Sequence, residues 1–325
     1  MNKSTSGFAS NIKTKAILKK YISAMDKHTE KRAKFFLKRL PRPLKNISRT
    51  IVDIGCCSGS ITEIIAKTLK KDTVIGVDVS DVFLNEAKKQ PRQFQVIKAD
   101  VLNLPFLNES IDVFILSSVL HEIYSYNGFT FKSCKEALSE LHRCLRKGGR
   151  VIIHDPAKPS NHDEKLHIYL DQTNGLNPNS IQRLCTLPPN KLSTFSLFKK
   201  FVLEYKPLSI DKRKSLLQTL QQNSSYLAEA WIITEFIRKR KYIDSPKHWR
   251  GEMQEQNAAF TVEDIKSIAR KSGFLPQKIH AVYNFESNFY ARIKREDKIK
   301  ITDKSGNRIL QKSRFPSHLY VVLEK

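Results

Sequence analysis

The residues of this chain best suited to chemistry lie in and after the run IVDIGCCSGSIT, residues 51–62. An apolar segment ends in Asp53, and a loop of small residues follows around Gly55, Cys57 and Gly59 before a helical pattern begins. Such a loop lets backbone approach a ligand closely, and the helix behind it presents partial positive charge from its first N–H groups. Further acids recur at the ends of later apolar runs: Asp78 after TVIGV and Asp100 after FQVIK. A third such run, IDVFIL, ends in Ser117 and Ser118 and leads into VLHEI, which carries His121 and Glu122; RVII closes on His154 and Asp155. Histidine and carboxylates at the same edge are the groups that accept a proton during group transfer. Asp112 begins its run rather than ending it and reads as structural.

The elements needed to hold these groups are five buried strands alternating with helices over 63–69, 83–89 and 133–145. That alternation predicts an α/β, doubly wound, Rossmann-like sheet, in which ligands bind beyond the carboxyl ends of the strands. Three carboxylates around one crevice would repel a pyrophosphate, and the loop lacks the full G-x-G-x-x-G spacing of a dinucleotide site. A cationic ligand with a ribose fits better. S-adenosylmethionine offers a sulfonium and an ammonium, ribose hydroxyls for Asp78 and an adenine amino group for Asp100.

With these residues in view, the sequence resembles the class I S-adenosylmethionine-dependent methyltransferases, whose first motif reads acid-x-G-x-G-x-G. Asp53, Gly55 and Gly59 match it, and Cys57 stands where the middle glycine would be. The resemblance covers about residues 48–157, and reappears in TVEDIKSIARKSGF as a last helix and in QKIHAVYNF and HLYVVLEK as a terminal antiparallel strand pair. It implies a seven-stranded sheet with Asp53, Gly55, Cys57, Gly59, Asp78, Val79, Asp100, Val101, Ser117 and Ser118 around the cofactor. His121, Glu122 and Asp155 are the candidates for proton transfer, with no metal required: no cysteine and histidine spacing suggests a zinc site. Asp155 before Pro156 has the alternative of a simple turn, and Asp78 that of capping the helix from Val82.

The net charge of +25 is uneven. Residues 1–47 carry +11 and residues 48–157 only +1, so basicity belongs to the appendages. Such charge attracts RNA or an acidic small substrate, or is a solvated lysine surface. Residues 1–47 read as a basic helical cap, with helices over 12–25 and 31–40; 158–258 as an inserted helical lid; 259–325 as the last core helix and strand pair, interrupted by a basic hairpin over 294–308. Within the lid, 163–170, 180–184, 192–205, 212–221 and 226–240 all read as helical. A lid favours a small-molecule acceptor over RNA. A cofactor-binding protein without turnover is the further alternative. No apolar stretch suits a bilayer, and five cysteines without a disulfide pattern suit the cytoplasm. The pattern of base-amino methylation, Asp or Asn before Pro-Pro and an aromatic, is absent after the fourth strand, and so is the Pro-Cys of pyrimidine attack.

Overall fold

The computed structural model describes residues 22–23, 28–42, 47–89, 93–218, 225–285, 299–303, 305–307 and 315–325. The expected helix over 12–25 and the outer parts of the hairpin over 294–308 therefore lie almost wholly outside the described residues. The chain forms two units, the first from within residues 1–155, 262–282 and 319–325, the second from within 156–261 and 283–318.

The first unit carries a seven-stranded sheet in the order β3-β2-β1-β4-β5-β10-β8. Its strands are β1 (Thr50–Ile54), β2 (Thr73–Asp78), β3 (Gln95–Lys98), β4 (Ile111–Ser117), β5 (Leu145–Pro156), β8 (Ile279–Asn284) and β10 (His318–Glu324). Strands β1 to β5 pair in parallel, so their acid-bearing ends come to one edge. The helices are α1 (Thr29–Leu37), α2 (Ser60–Thr68), α3 (Asp81–Ala87), α4 (Leu120–Tyr126), α5 (Phe131–Cys144) and α11 (Val262–Lys271).

Alternation along each strand decides what each face receives. Ile51, Val113, Ile115 and Ile152 form one apolar cluster with Ile61 and Ile65 of α2 and with Ala33, Phe35 and Phe36 of α1. Ala33 and Phe36 are fully buried, so α1 is part of this core rather than a loose cap. Asp112, at the start of β4, accepts hydrogen bonds from Thr50 N–H (2.7 Å) and from Arg146, far from the carboxyl edge.

The second unit is not purely helical, which corrects the sequence expectation. Residues Lys165–Leu170 form strand β6, centred between β7 (Ser225–Glu229) and β9 (Ile299–Thr302) in an antiparallel sheet. Leu166, Ile168 and Leu170 are buried while Lys165, His167 and Tyr169 alternate outward, a period of two that fits a strand and not a helix. The run 226–240 likewise divides into β7 and helix α9 (Ala230–Lys239), after α6 (Ile181–Thr186), α7 (Thr194–Glu204) and α8 (Ile210–Gln218); α10 (Pro246–Glu252) follows. The buried face of this sheet packs with Phe195, Phe198, Phe201, Phe236 and Trp249. Trp249 is thus core, its indole N–H held by Glu204 at 2.6 Å. The fully buried Lys239 ammonium sits 3.0 Å from Glu252 and 3.9 Å from Glu235, so its charge is compensated inside the unit.

Candidate functional site

The loop after β1 is shaped by three left-handed residues in succession at alternate positions: Gly55 (φ 68°), Cys57 (φ 52°) and Gly59 (φ 80°). Cys57 therefore keeps the backbone form that the resembled motif assigns to glycine, at the strain cost of a side chain there. Close approach explains the other two. A Cβ on Gly55 would lie 2.5 Å from Val119, and one on Gly59 2.3 Å from the Phe94 ring. Gly55 and Cys56 N–H both donate to the Val77 carbonyl, tying the loop to the end of β2. Cys56 is buried and its thiol is pushed well above the ordinary range by burial, which makes it an inert filler.

Asp53 is 2% exposed and accepts the Thr62 hydroxyl of α2 at 2.7 Å. Burial pushes its carboxyl up to about 7, opposed by the Thr62 hydrogen bond and by the charge of Arg32, and reinforced by the charge of Asp78. Asp78 accepts N–H bonds from Cys57 (3.0 Å) and Ser80 (2.9 Å), and its pKa is raised because burial outweighs those bonds. It does not cap the following helix; Ser80 does, accepting from Phe83 N–H. Val79 is half-buried beside it. Asp100 is half-buried and accepts Leu102 N–H at 3.0 Å, so it shapes a turn at the same edge, with Val101 buried beneath. Two neighbouring buried carboxyls that are costly to ionise are a site that gains by receiving positive charge.

At the end of β4, Ser118 is also left-handed (φ 61°), and its N–H donates to the His154 carbonyl at 2.7 Å. This turn starts α4 over the end of β5. Leu120 N–H then donates to one oxygen of Asp155 (2.9 Å), and His121 Nδ1 meets the other at 2.8 Å. Asp155 is fully buried and His121 only 5% exposed. Asp155 is a strand residue with both oxygens engaged, so the alternative of a simple turn before Pro156 does not describe it. Glu122 is half-buried on the same helix. Ser117, buried, accepts a long hydrogen bond (3.5 Å) from Arg32.

Sequence reasoning missed Thr62, Val119, Phe94 and Arg32 as neighbours of the loop. Thr62 was within reach, since it falls in the first turn of the helix behind Asp53. Arg32 lies in the basic N-terminal segment, but it is half-buried and reaches Ser117 at the end of β4, while Lys31 and Lys34 are exposed.

Comparison with known proteins bears on the family. A family model described as a methyltransferase domain matches residues 52–153. A ubiquinone/menaquinone biosynthesis C-methyltransferase of Campylobacter jejuni is 29% identical over 171 residues, covering 48% of this chain and 68% of that protein. A tRNA (carboxymethyluridine(34)-5-O)-methyltransferase of Mus musculus is 32% identical over 136 residues, covering 42% of this chain and 18% of the relative. Among solved structures, a plantazolicin methyltransferase in complex with S-adenosylhomocysteine covers 99% of this chain and 95% of its own, at 14% identity and a TM-score of 0.48.

Proposed function

The chain is a member of the class I S-adenosylmethionine-dependent methyltransferases through its residues 52–153, and from that premise we propose that it methylates a small molecule whose accepting atom must lose a proton. One observation carries the proposal: the buried His121–Asp155 pair at 2.8 Å, beside the loop that follows β1 in the parallel sheet. An Asp155 carboxylate that holds Nδ1–H fixes the imidazole tautomer and leaves Nε2 as the basic nitrogen.

The residues present fit the cofactor. Asp53 and Asp78 gain from its positive charge, Asp78 retains lone pairs for ribose hydroxyls, and Asp100 for an adenine amino group. Bound S-adenosylmethionine supplies an electrophilic methyl group. The chain's own work is to hold the acceptor in line, exclude water, and take the acceptor's proton at His121 Nε2. Val79, Val101, Ser117, Ser118, Gly55, Cys57 and Gly59 shape the cofactor's surroundings in this reading, and Glu122 is a secondary proton acceptor. We assign the acceptor-binding role to the second unit, which enters the chain directly after Asp155.

A small acceptor is favoured because the named activity of the Campylobacter relative concerns quinones. Among the described residues no helix is long and apolar enough to cross a membrane. The cysteines are free thiols, in keeping with a reducing, cytoplasmic setting. The test incubates the protein with methyl-labelled cofactor and separated metabolite, lipid, protein and RNA fractions of cells. Label in the small-molecule fraction, lost in His121→Ala, is the expected result. Label confined to RNA would transfer the proposal to the nucleic-acid acceptor, and no label with intact cofactor binding would leave a non-catalytic binder.

A further inference from the structure

Loops lie on protein surfaces because a buried one strands its backbone polar groups. The segment between α10 and α11 departs from that rule. Residues 255–261 belong to no helix or strand, yet every one of them is buried. The segment is tied down at its far end, where Phe260 bridges Ala157, the residue after β5, and accepts Lys158 N–H at 2.8 Å.

The second unit completes the rest of this backbone with charge. Glu235 of α9 is fully buried and accepts Asn257 N–H at 3.3 Å with one oxygen and Ala258 N–H with the other. The Ala258 carbonyl in turn accepts the Gln256 side chain at 3.2 Å. One turn along α9, the Lys239 ammonium stands 3.9 Å from Glu235 and 3.0 Å from Glu252 of α10. Burial opposes its charge, but the carboxylates of Glu252, Glu235 and Glu255 outweigh burial and hold the group above its ordinary range. A buried charge network is seldom the most stable filling of a core, since apolar residues of similar volume do as well or better. What this one supplies is position: Glu252 fixes Lys239, Lys239 steadies Glu235, and Glu235 fixes the backbone of residues 257 and 258.

The side chain held in this way is Asn257. It is 8% exposed, and among the described residues its amide has no hydrogen-bond partner. An amide buried without a partner costs stability, so a rigid backbone that keeps it there fits a ligand that completes it. A carboxamide offers an acceptor and N–H donors side by side. A carboxylate would answer only the N–H, and an ammonium only the oxygen. An uncharged edge with a carbonyl next to a hydroxyl or N–H answers both.

We propose that Asn257 is the specificity residue for the acceptor, pairing with an uncharged edge that carries a carbonyl beside a hydroxyl or N–H, and that Glu235 and Lys239 are its positioning residues. The proposal rests on the small-acceptor reading above and narrows it to a chemical class. A site built around such a pair rejects molecules that lack the matching edge, because the amide is then left buried and unanswered.

The test uses the full chain, methyl-labelled cofactor and a dilution series of the small-molecule extract of cells as the acceptor probe. Asn257→Leu removes the amide at nearly constant shape. It should melt at or above the wild-type temperature, because an unpartnered buried polar group is exchanged for an apolar one, and it should bind S-adenosylhomocysteine within about twofold. The extract concentration for half-maximal labelling should rise about tenfold or more, the loss of a hydrogen-bonded pair, and far more than the saturating rate falls. Glu235→Gln should shift half-saturation in the same direction. The labelled product, identified by mass spectrometry and NMR, should carry the carbonyl edge. Unchanged half-saturation in Asn257→Leu, a lowered melting temperature in that variant, or a product without such an edge overturns the assignment. A Glu235→Gln protein that labels as the wild type does, or that loses S-adenosylhomocysteine binding as well, removes the positioning role. No label in any small molecule from the wild-type chain, with cofactor binding intact, would instead remove the small-acceptor reading, and this proposal with it.

Discussion

Gly59→Ala puts the loop geometry to a quantitative trial. The residue has φ 80°, where an L side chain costs roughly 1–2 kcal/mol. The added methyl would also lie 2.3 Å from Phe94 Cζ and 3.1 Å from its Cε2, well inside contact distance. Overpacking of that kind costs about 1–3 kcal/mol, toward the lower end here because the Phe94 ring is half-buried and has room to turn. Against this, alanine restricts the unfolded chain and returns about 0.4–1 kcal/mol. The net expectation is a destabilisation of about 1–4 kcal/mol. Cys57→Gly is the counter-experiment at an equally left-handed residue: relief of the strain at φ 52° and the larger freedom of unfolded glycine nearly cancel, so stability should change by less than about 1 kcal/mol. Urea unfolding followed by circular dichroism reads both. A Gly59→Ala protein within about 0.5 kcal/mol of wild type would refute the claim that this loop is rigidly held against Phe94.

Asp78→Ala should weaken S-adenosylhomocysteine binding by roughly 1.5–3 kcal/mol, since a charged acceptor is lost; unchanged calorimetric affinity would remove the ribose assignment. His121→Ala and Asp155→Asn should each lower methyl transfer about 10²- to 10⁴-fold with cofactor affinity retained, and undiminished label transfer in either would return the pair to a structural role. Asp53 tests the electrostatics. Its carboxyl titrates at about 7 when folded and at about 3.9 when unfolded, so the unfolded chain releases the proton first. Its contribution to stability therefore falls as pH rises from about 4 to about 7, and Asp53→Asn should lose that slope; identical pH profiles of unfolding for the two proteins would contradict the raised value.

The strand ends were legible in the sequence because a parallel sheet writes itself as short apolar runs, so the placement of Asp53, Asp78 and Asp100 at the ends of β1, β2 and β3 needed no tertiary knowledge. The partnership of His121 with Asp155 was not legible as a bond. Each residue was visible at a strand end, but only the adjacency of β4 and β5 and the left-handed Ser118 turn bring them to 2.8 Å. The turn of Arg32 toward the end of β4 was not legible for a similar reason: Ser117 lies 85 positions away, and basic residues on a helix read as solvent-facing by default. Strand β6 was misread although KLHIYL alternates cleanly. The helical reading of 163–170 passed over that alternation, and what completes the strand is pairing with β7 and β9, both distant in sequence.

Strand β10 lies between β5 and β8 in space yet follows both in the chain, with most of the second unit threaded between β5 and it. During synthesis at about 5–20 residues per second, β5 is complete many seconds before β10 emerges. Over that interval the nascent sheet has an unpaired hydrogen-bonding edge at β5, where Val151, Ile152 and Ile153 are destined for full burial. The second unit, whose sheet itself needs β9, can finish only shortly before β10 appears. Folding of this chain is thus governed by high contact order and by a late keystone strand, and a nascent-chain series arrested before and after residues 318–324 should show protease resistance of the first unit arising abruptly at the end.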